Sequence, residues 1–261
     1  MLAMGLEIAD SGRGPAVMIV HGAPSSTADF EPLVTALAGT HRVLVPRLPG
    51  YGASPRLDAP YSFARLHDQL EAAIAERGIR ALAIVGFSSG GHHALALACR
   101  RRVEVARVVS LAGFAALTPA DRDGMRGLAA MLSAPGADLQ SADLRAIARQ
   151  RFLAPRFAGD AAAVARVEAW LGATSAPVLA DELLAETEVV LRPQLGDLAI
   201  PVVARVGELD AAVPLTYSEE IVASCPNARL ELVRGHGHAL LVEQPAETVA
   251  AIRAALADPT W

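Results

Sequence analysis

The sequence has few of several features that would each indicate a particular class of protein. Cysteine occurs only twice in 261 residues, at Cys99 and Cys225, which excludes a disulfide framework and predicts two free thiols. Aromatic residues make up only 4% of the chain. Apart from residues 100–102, the basic residues are scattered, and the formal net charge is −5, so we expect no nucleic-acid partner.

Long apolar runs are also missing, since no stretch approaches the roughly 20 apolar residues that span a bilayer. Residues 1–15 lack the charged segment followed by an apolar segment that marks a secretory signal. We therefore expect a cytoplasmic protein without membrane association, and the sequence predicts no particular oligomeric state. Hydrophobic residues make up 52%, which is enough at this length for one large α/β domain with a sizeable core.

Six short runs rich in Val, Ile and Leu predict β-strands. They are AVMIV (16–20), RVLVP (42–46), ALAIVG (81–86), RVVSLAG (107–113), PVVARVG (201–207) and ARLELV (228–233). Most are nearly continuous in apolar character, which is typical of parallel strands covered on both faces. Helical patterns separate them, as at 61–78, where apolar residues recur at spacings of three and four. This alternation predicts an α/β fold with a mostly parallel, doubly wound sheet.

The stretch from 114 to 197 breaks this alternation, because it contains no convincing strand. Short helical patterns at 141–153 and 160–174 occupy it instead. We interpret it as a helical lid inserted after the strand at 107–113, with residues 1–113 and 198–261 forming the core. Ligands of open α/β sheets bind at the carboxyl ends of the strands, so a lid there would cover the binding site.

The pentapeptide Gly86-Phe87-Ser88-Ser89-Gly90 follows a predicted strand and precedes a predicted helix. Its flanking glycines permit a sharp turn that exposes the hydroxyl of the central serine above the sheet. The amides at the start of the helix point toward the same place and favour a developing anion. Ser88, rather than Ser89, is therefore the predicted nucleophile.

A nucleophilic serine needs a base, and the base needs an orienting acid. Both occur downstream, in loops that follow the predicted strands at 201–207 and 228–233. The first loop offers Glu208 and Asp210, and the second offers His236 and His238. The two histidines lack the further ligands that a metal site requires, so we expect no metal there.

Five segments, in chain order, resemble motifs of the α/β-hydrolase-fold family. They are HGAPSS (21–26), LPGYGAS (48–54), GFSSGG (86–91), GELDAAVP (207–214) and GHGHALLVEQP (235–245). The resemblance implies an α/β-hydrolase fold over nearly the whole chain. It further implies that Ser88 is the nucleophile, Asp210 the orienting acid and His238 the base, with an oxyanion hole formed by the backbone amides of Ala23 and Ser89.

Residues 150–175 and 228–245 are similar to the enol-lactonase and carboxylesterase branch of that family. This implies hydrolysis of a small-molecule ester or lactone through an acyl-enzyme on Ser88, with no metal or organic cofactor. The first alternative is a carbon–carbon bond hydrolase of a vinylogous diketone, although such relatives usually carry tryptophan after the catalytic histidine, where this chain has Ala239. The second alternative is a ligand-binding relative without catalysis.

Several other residues near these motifs have less specific expectations. His21 is expected to shape its loop, and His92 and His93 to be packed or solvated rather than catalytic. Arg47 stands before the L-P-G turn, where family members commonly carry an acidic residue, so it could alter local packing or place a cation at the pocket rim. Three aromatic residues of the 114–197 stretch are expected in the core of the lid: Phe152, Phe157 and Trp170.

Overall fold

The computed structural model describes residues 5–58 and 60–258. Within these ranges the strands are β1 (Ile8–Gly12), β2 (Ala16–Val20), β3 (Arg42–Pro46), β4 (Ala81–Phe87), β5 (Glu104–Leu111), β6 (Val202–Gly207) and β7 (Ala228–Val233). The helices are α1 (Glu31–Leu37), α2 (Phe63–Glu76), α3 (Ser89–Arg100), α4 (Pro119–Leu132), α5 (Ala142–Phe152), α6 (Ala161–Trp170), α7 (Ala176–Thr187), α8 (Arg192–Leu195), α9 (Leu215–Ser224), α10 (Leu240–Glu243) and α11 (Pro245–Ala257).

The strands form one sheet with the order β1-β3-β2-β4-β5-β6-β7. All neighbouring pairs are parallel except β1 and β3, which are antiparallel. The predicted α/β fold with a mostly parallel sheet is therefore confirmed, and each of the six predicted strands is present. Because the strands from β2 to β7 run in one direction, the loops that follow them meet at one edge of the sheet.

Strand β1 was not among the predicted strands. Its sequence, IADSG, is polar and largely exposed, so it lacks the apolar pattern of the other strands. It pairs in register with β3 at the edge of the sheet, where Ile8 lies opposite Pro46. The guanidinium of Arg42 also binds the Asp10 carboxylate at 2.7 Å. Backbone pairing and a cross-strand ion pair thus support a strand that buries little apolar surface.

The bounds predicted for the strand at 107–113 were wrong at both ends, since β5 spans Glu104–Leu111. Ala112 has a φ of 50°, which turns the chain out of the extended conformation and ends the strand. Gly113 then packs against the backbone of Gly91, where a Cβ atom on Gly113 would lie 3.0 Å from Gly91 Cα. This close approach brings the end of β5 against the first turn of α3.

Apolar side chains cover both faces of the sheet. In β2, Val17 and Ile19 belong to one buried cluster, and Met18 and Val20 belong to the other. Successive side chains of a strand point to opposite faces, so a continuous apolar run is what a strand between two helical layers requires. The described ranges contain no helix with the length and apolar character needed to cross a bilayer.

The chain between β5 and β6 contains α4 to α8 and, within the described residues, no strand. A single backbone bridge joins Ala116 to Val190 and brings the two ends of this helical segment together. Helices α4 and α7 pack against each other. The segment lies over the carboxyl ends of the strands, since its side chains and Ser88 line the same cavity.

Candidate active site

Ser88 lies at the junction of β4 and α3, where the backbone turns sharply. Its φ of 55° and ψ of −124° lie outside the regions usual for residues with side chains, and such a conformation costs of order 1–3 kcal/mol. The surrounding backbone holds it in place, because the Ser88 N–H donates to the Leu111 carbonyl at 2.8 Å. The turn places Ser88 at the carboxyl edge of the sheet.

The glycines on either side of Ser88 are required by close backbone contacts. A Cβ atom on Gly86 would lie 2.0 Å from the Gly90 carbonyl oxygen, and one on Gly90 would lie 2.2 Å from the Val20 carbonyl oxygen. A Cβ atom on Gly22 would lie 2.6 Å from Ser88 Cβ. The last contact brings the loop at 21–26 directly against the serine.

Asp210 and His238 form a buried pair. His238 Nδ1 lies 2.8 Å from Asp210 Oδ2, and both side chains are almost completely buried. The other carboxylate oxygen, Oδ1, accepts the backbone N–H groups of Ala212 at 2.9 Å and Val213 at 2.7 Å. A carboxylate accepts hydrogen bonds and does not donate them, so Nδ1 carries the ring proton and Nε2 is left with a free lone pair.

The competing acid and histidine occupy different positions at the loop surface. Glu208 Oε2 accepts the backbone N–H of Gly235 at 2.8 Å. The His236 ring packs near Phe157, with ring centroids 5.7 Å apart, and Arg156 Nη2 lies 3.1 Å from its Nδ1. Neither residue takes part in the buried pair, so the structure brings together Asp210 and His238 and leaves Glu208 and His236 apart from them.

Phe87 connects the turn at Ser88 with the buried pair. Its ring centroid lies 4.9 Å from that of His238, and Phe152 packs on the same imidazole at 5.4 Å. Among the described residues, none donates a hydrogen bond to Ser88 Oγ or accepts one from it. Such hydrogen bonds commonly tighten only when substrate is bound.

The loop bearing His238 is fixed to the end of α5. The Glu243 carboxylate accepts the N–H of Ala154 at 2.6 Å and that of Gly237 at 2.7 Å. The N–H of Ala239, next to His238, donates to the Phe152 carbonyl at 2.9 Å. The histidine is therefore positioned jointly by the sheet and by the helical segment between β5 and β6.

His21 organises the loop that contains Ala23. Its Nε2 accepts the N–H of Leu48 at 3.0 Å, and its Nδ1 donates to the Gly22 carbonyl at 3.0 Å. Burial lowers the pKa of His21 to about 4, which keeps the ring neutral and both contacts intact near neutral pH. His21 thus shapes its loop, as expected, and links it to the L-P-G turn.

Among the described residues, two backbone N–H groups near Ser88 have no acceptor in the protein. Ser89 is the first residue of α3, and the first N–H of a helix has no acceptor within the helix. In the described part of the chain, no protein group accepts the N–H of Ala23. Ala23 also lines the cavity into which Ser88 opens.

This cavity has a volume of about 310 Å³ and mostly apolar walls. Ala23 and Ser88 lie on the side of the sheet, and leucines of the helical segment form much of the remainder. Four polar or charged side chains besides Ser88 line it: Asp121, Arg151, Glu186 and Tyr217. Such a cavity suits a small, largely apolar ligand with a few polar groups.

Phe152 lines this cavity, whereas we expected it in the core of the lid. Trp170 is buried as expected, and its indole N–H donates to the Asp29 carboxylate. Sequence reasoning also missed Glu186. Both Phe152 and Glu186 lie on helices whose sequence patterns do not reveal which turn faces the cavity, so only their packing identifies them.

His92 and His93 are packed inside the protein rather than at the cavity. His93 Nδ1 lies 3.0 Å from His67 Nε2, and His92 Nδ1 lies 3.3 Å from the Phe114 carbonyl oxygen. Burial lowers the pKa of His67 to about 3 and that of His92 to about 4. In the described ranges, no group of histidine, cysteine and acidic side chains is arranged to hold a metal ion.

Arg47 packs away from the Ser88 cavity. Its Nε lies 3.3 Å from the Glu7 carboxylate, and its side chain covers Gly52. It lines a separate cavity beside His21 and Tyr51. Arg47 therefore contributes to packing at this second cavity and does not line the cavity around Ser88.

Comparison with known proteins places this geometry in a family. The family model described as "alpha/beta hydrolase fold" matches residues 15–245. The chain belongs to the alpha/beta hydrolase fold family. It is 27% identical to the pimeloyl-[acyl-carrier protein] methyl ester esterase of Aeromonas hydrophila over 255 residues, a match that covers 94% of this chain and 97% of that protein.

Solved structures of other proteins have the same fold as this alpha/beta hydrolase. An esterase from Thermogutta terrifontis superposes with a TM-score of 0.86 at 23% identity, covering 96% of this chain and 92% of that one. The enol-lactonase from Burkholderia xenovorans superposes with a TM-score of 0.86 at 19% identity, covering 97% of this chain and 96% of that one. The prediction of an α/β-fold hydrolase is confirmed, and the relatives are named as esterases and hydrolases.

Proposed function

We propose that this hydrolase cleaves a small carboxylic ester or lactone through an acyl-enzyme on Ser88. His238 acts as the base, Asp210 orients it, and the backbone amides of Ala23 and Ser89 bind the oxyanion. The observation that carries the proposal is the convergence of three distant segments at one edge of the sheet. Ser88 opens into an apolar cavity, and the buried Asp210–His238 pair packs on the adjacent Phe87 ring.

In the first half of the reaction, Ser88 Oγ attacks the carbonyl carbon while His238 Nε2 accepts the hydroxyl proton. The oxyanion of the tetrahedral intermediate accepts hydrogen bonds from the N–H groups of Ala23 and Ser89. Removal of one such donor typically costs about 2.7–4 kcal/mol of transition-state stabilisation. The intermediate collapses with cleavage of the bond to the leaving oxygen, which takes the proton from His238.

Water completes the reaction by attacking the acyl-enzyme. His238 accepts a proton from the water, and the second tetrahedral intermediate expels Ser88 Oγ, which regains its proton. The products are a carboxylic acid and an alcohol, or one hydroxy acid when the substrate is a lactone. The imidazolium that forms twice in this cycle is stabilised by the Asp210 carboxylate at 2.8 Å.

The comparisons favour an ester over the other bonds considered. The Aeromonas hydrophila relative is named as a methyl ester esterase and matches almost the whole chain. The enol-lactonase match lies at 19% identity and supports the fold alone, so a lactone substrate rests on the sequence resemblance. Within this proposal, the helical segment between β5 and β6 acts as a lid, because its apolar side chains complete the cavity above Ser88.

A hydrolysis assay with p-nitrophenyl acetate, p-nitrophenyl butyrate and short lactones tests the proposal. The wild-type protein should turn over at least one ester many times, and Ser88→Ala should abolish that turnover. Ser218→Ala is a matched control, since Ser218 is also buried, forms no side-chain hydrogen bond and lies outside the cavity. Its activity should remain that of the wild type.

Three results would contradict the proposal. Activity that survives Ser88→Ala would remove Ser88 from the mechanism. Turnover of a vinylogous diketone in preference to every ester would indicate carbon–carbon bond hydrolysis. Ligand-induced stabilisation without multiple turnovers would indicate a binding protein.

A further inference from the structure

Helix α7 carries two buried carboxyl groups, and one of them lines the cavity. Glu186 is only 4% exposed and lines the same cavity as Ser88. Glu182, one turn earlier on α7, is completely buried. The proposed mechanism uses neither residue. Burial of a carboxyl group without a partner is costly, so a buried carboxyl on the cavity wall calls for an explanation.

Two tyrosine hydroxyls lie near these carboxyls. Tyr51 donates its hydroxyl proton to Glu182 Oε2 at 2.7 Å, and the buried Tyr61 hydroxyl has no hydrogen-bond partner. In the described ranges, Glu186 takes part in no hydrogen bond or ion pair. Burial raises the pKa of Glu182 to about 7, and burial together with Glu182 raises the pKa of Glu186 well above its usual range.

The other charged side chains on the cavity wall have partners of their own. Asp121 accepts a hydrogen bond from the Thr118 hydroxyl at 2.6 Å and another from Tyr217. Arg151 donates to the Ala212 carbonyl at 3.2 Å. The wall therefore presents one carboxyl group without a protein partner, that of Glu186. Burial raises its pKa and so favours the neutral acid, which has one O–H donor and one carbonyl acceptor to offer.

We propose that the Glu186 carboxyl determines substrate specificity by hydrogen-bonding a hydroxyl or keto group on the part of the ester that fills the cavity. This inference rests on the function proposed above. A hydroxyl group satisfies both the donor and the acceptor of the acid, and a keto oxygen satisfies the donor. A plain alkyl chain satisfies neither, so its binding leaves a buried polar group unpaired.

The test compares kcat/KM for p-nitrophenyl hexanoate with kcat/KM for its hydroxy- and oxo-substituted forms, with the oxygen moved along the chain. The best substituted ester should be preferred by about tenfold, the range expected for one buried hydrogen bond. Glu186→Leu should remove this preference. Glu186→Gln, which keeps a neutral donor and acceptor, should retain most of it.

Two controls separate a role in specificity from a role in folding. Glu188→Leu changes an exposed carboxylate directly after α7, where it pairs with Arg126, and should leave the preference unchanged. Glu186→Leu should also raise the melting temperature, because it removes an unpaired buried carboxyl. A folded Glu186→Leu variant that keeps the wild-type preference would overturn the proposal.

The outcomes distinguish this proposal from the function on which it rests. If the wild type hydrolyses hexanoate and every substituted ester equally well, the role of Glu186 is refuted and the esterase stands. If the wild type hydrolyses none of the esters, the proposed function fails, and the role of Glu186 fails with it.

Discussion

Replacement of Asp210 by Asn should inactivate the hydrolase by reversing the tautomer of His238. Asp210 Oδ1 accepts two backbone N–H groups, from Ala212 and Val213, at 2.9 and 2.7 Å. An asparagine at this position must keep its carbonyl oxygen toward those two donors. Its NH₂ group therefore faces His238 Nδ1, which must become an acceptor, and the ring proton moves to Nε2.

The expected loss follows from this change of tautomer. With a proton on Nε2, the imidazole cannot accept the proton of Ser88, so kcat should fall by about 10⁴-fold, as the same change does in a serine protease triad. KM should change little, because Asp210 does not line the cavity. The shape of the side chain is conserved, so the fold should persist.

The assay is steady-state hydrolysis of p-nitrophenyl butyrate, with circular dichroism and melting temperature as checks on folding. Glu208→Gln is the matched control, because Glu208 is the competing acid of the same loop and accepts a hydrogen bond from Gly235 at the surface. It should retain near wild-type activity. The reasoning is refuted if Asp210→Asn keeps more than about a tenth of the activity, or if Glu208→Gln loses as much as Asp210→Asn.

Two further predictions concern stability. Gly90→Ala should lower the free energy of unfolding by about 2 kcal/mol or more, because its Cβ atom would lie 2.2 Å from a strand carbonyl oxygen. In the control Gly127→Ala, in α4, the new Cβ atom meets no atom within 4 Å, so the free energy of unfolding should rise by up to about 1 kcal/mol. Equal effects of the two substitutions in urea unfolding would contradict this prediction. Acidification from pH 7 to 5 should destabilise the fold, because buried histidines that stay neutral in the native state become protonated on unfolding. These histidines are His21, His67, His92 and His93.

The sign of the pH effect follows from the direction of the shifts. The unfolded histidines titrate near pH 6.5, whereas burial lowers the pKa to about 4 for His21 and His92 and to about 3 for His67. The pKa of His93 is lowered as well. The contribution to stability is therefore complete above pH 6.5 and is lost as the pH falls from 6.5 toward the folded pKa values. Between the unfolded and the folded pKa, each of these histidines lowers the free energy of unfolding by about 1.4 kcal/mol for every pH unit of acidification. Glu182 and Glu186 have raised pKa values and offset part of this loss. Equal free energies of unfolding in urea at pH 7 and pH 5 would contradict the prediction.

The sequence predicts the turn at Ser88 well because its determinants are local. Gly86 and Gly90 stand where a side chain would collide with backbone atoms, and those collisions are inherent in a strand-to-helix turn this tight. The strands β2 to β7 are also readable as strands, since each is a short run rich in Val, Ile and Leu. Asp210 and His238 follow two of these strands, so the topology brings their loops to the edge of the sheet where Ser88 lies.

Other features depend on long-range contacts that the sequence pattern does not encode. Strand β1 is stabilised by pairing with β3 and by the Asp10–Arg42 ion pair rather than by apolar burial. Phe152 and Glu186 lie on helices α5 and α7, and which side chains reach the cavity is decided by how these helices pack over the sheet. These residues could therefore be located only in the folded chain.

Covalent labelling tests the role of Ser88 most directly. A fluorophosphonate should react at Ser88 Oγ with loss of fluoride, and peptide mapping by mass spectrometry should find one adduct per chain, on the peptide that contains residue 88. Inhibition of ester hydrolysis should rise in proportion to labelling, and Ser88→Ala should take up no label. An adduct on another residue, or inhibition without an adduct on Ser88, would contradict the account.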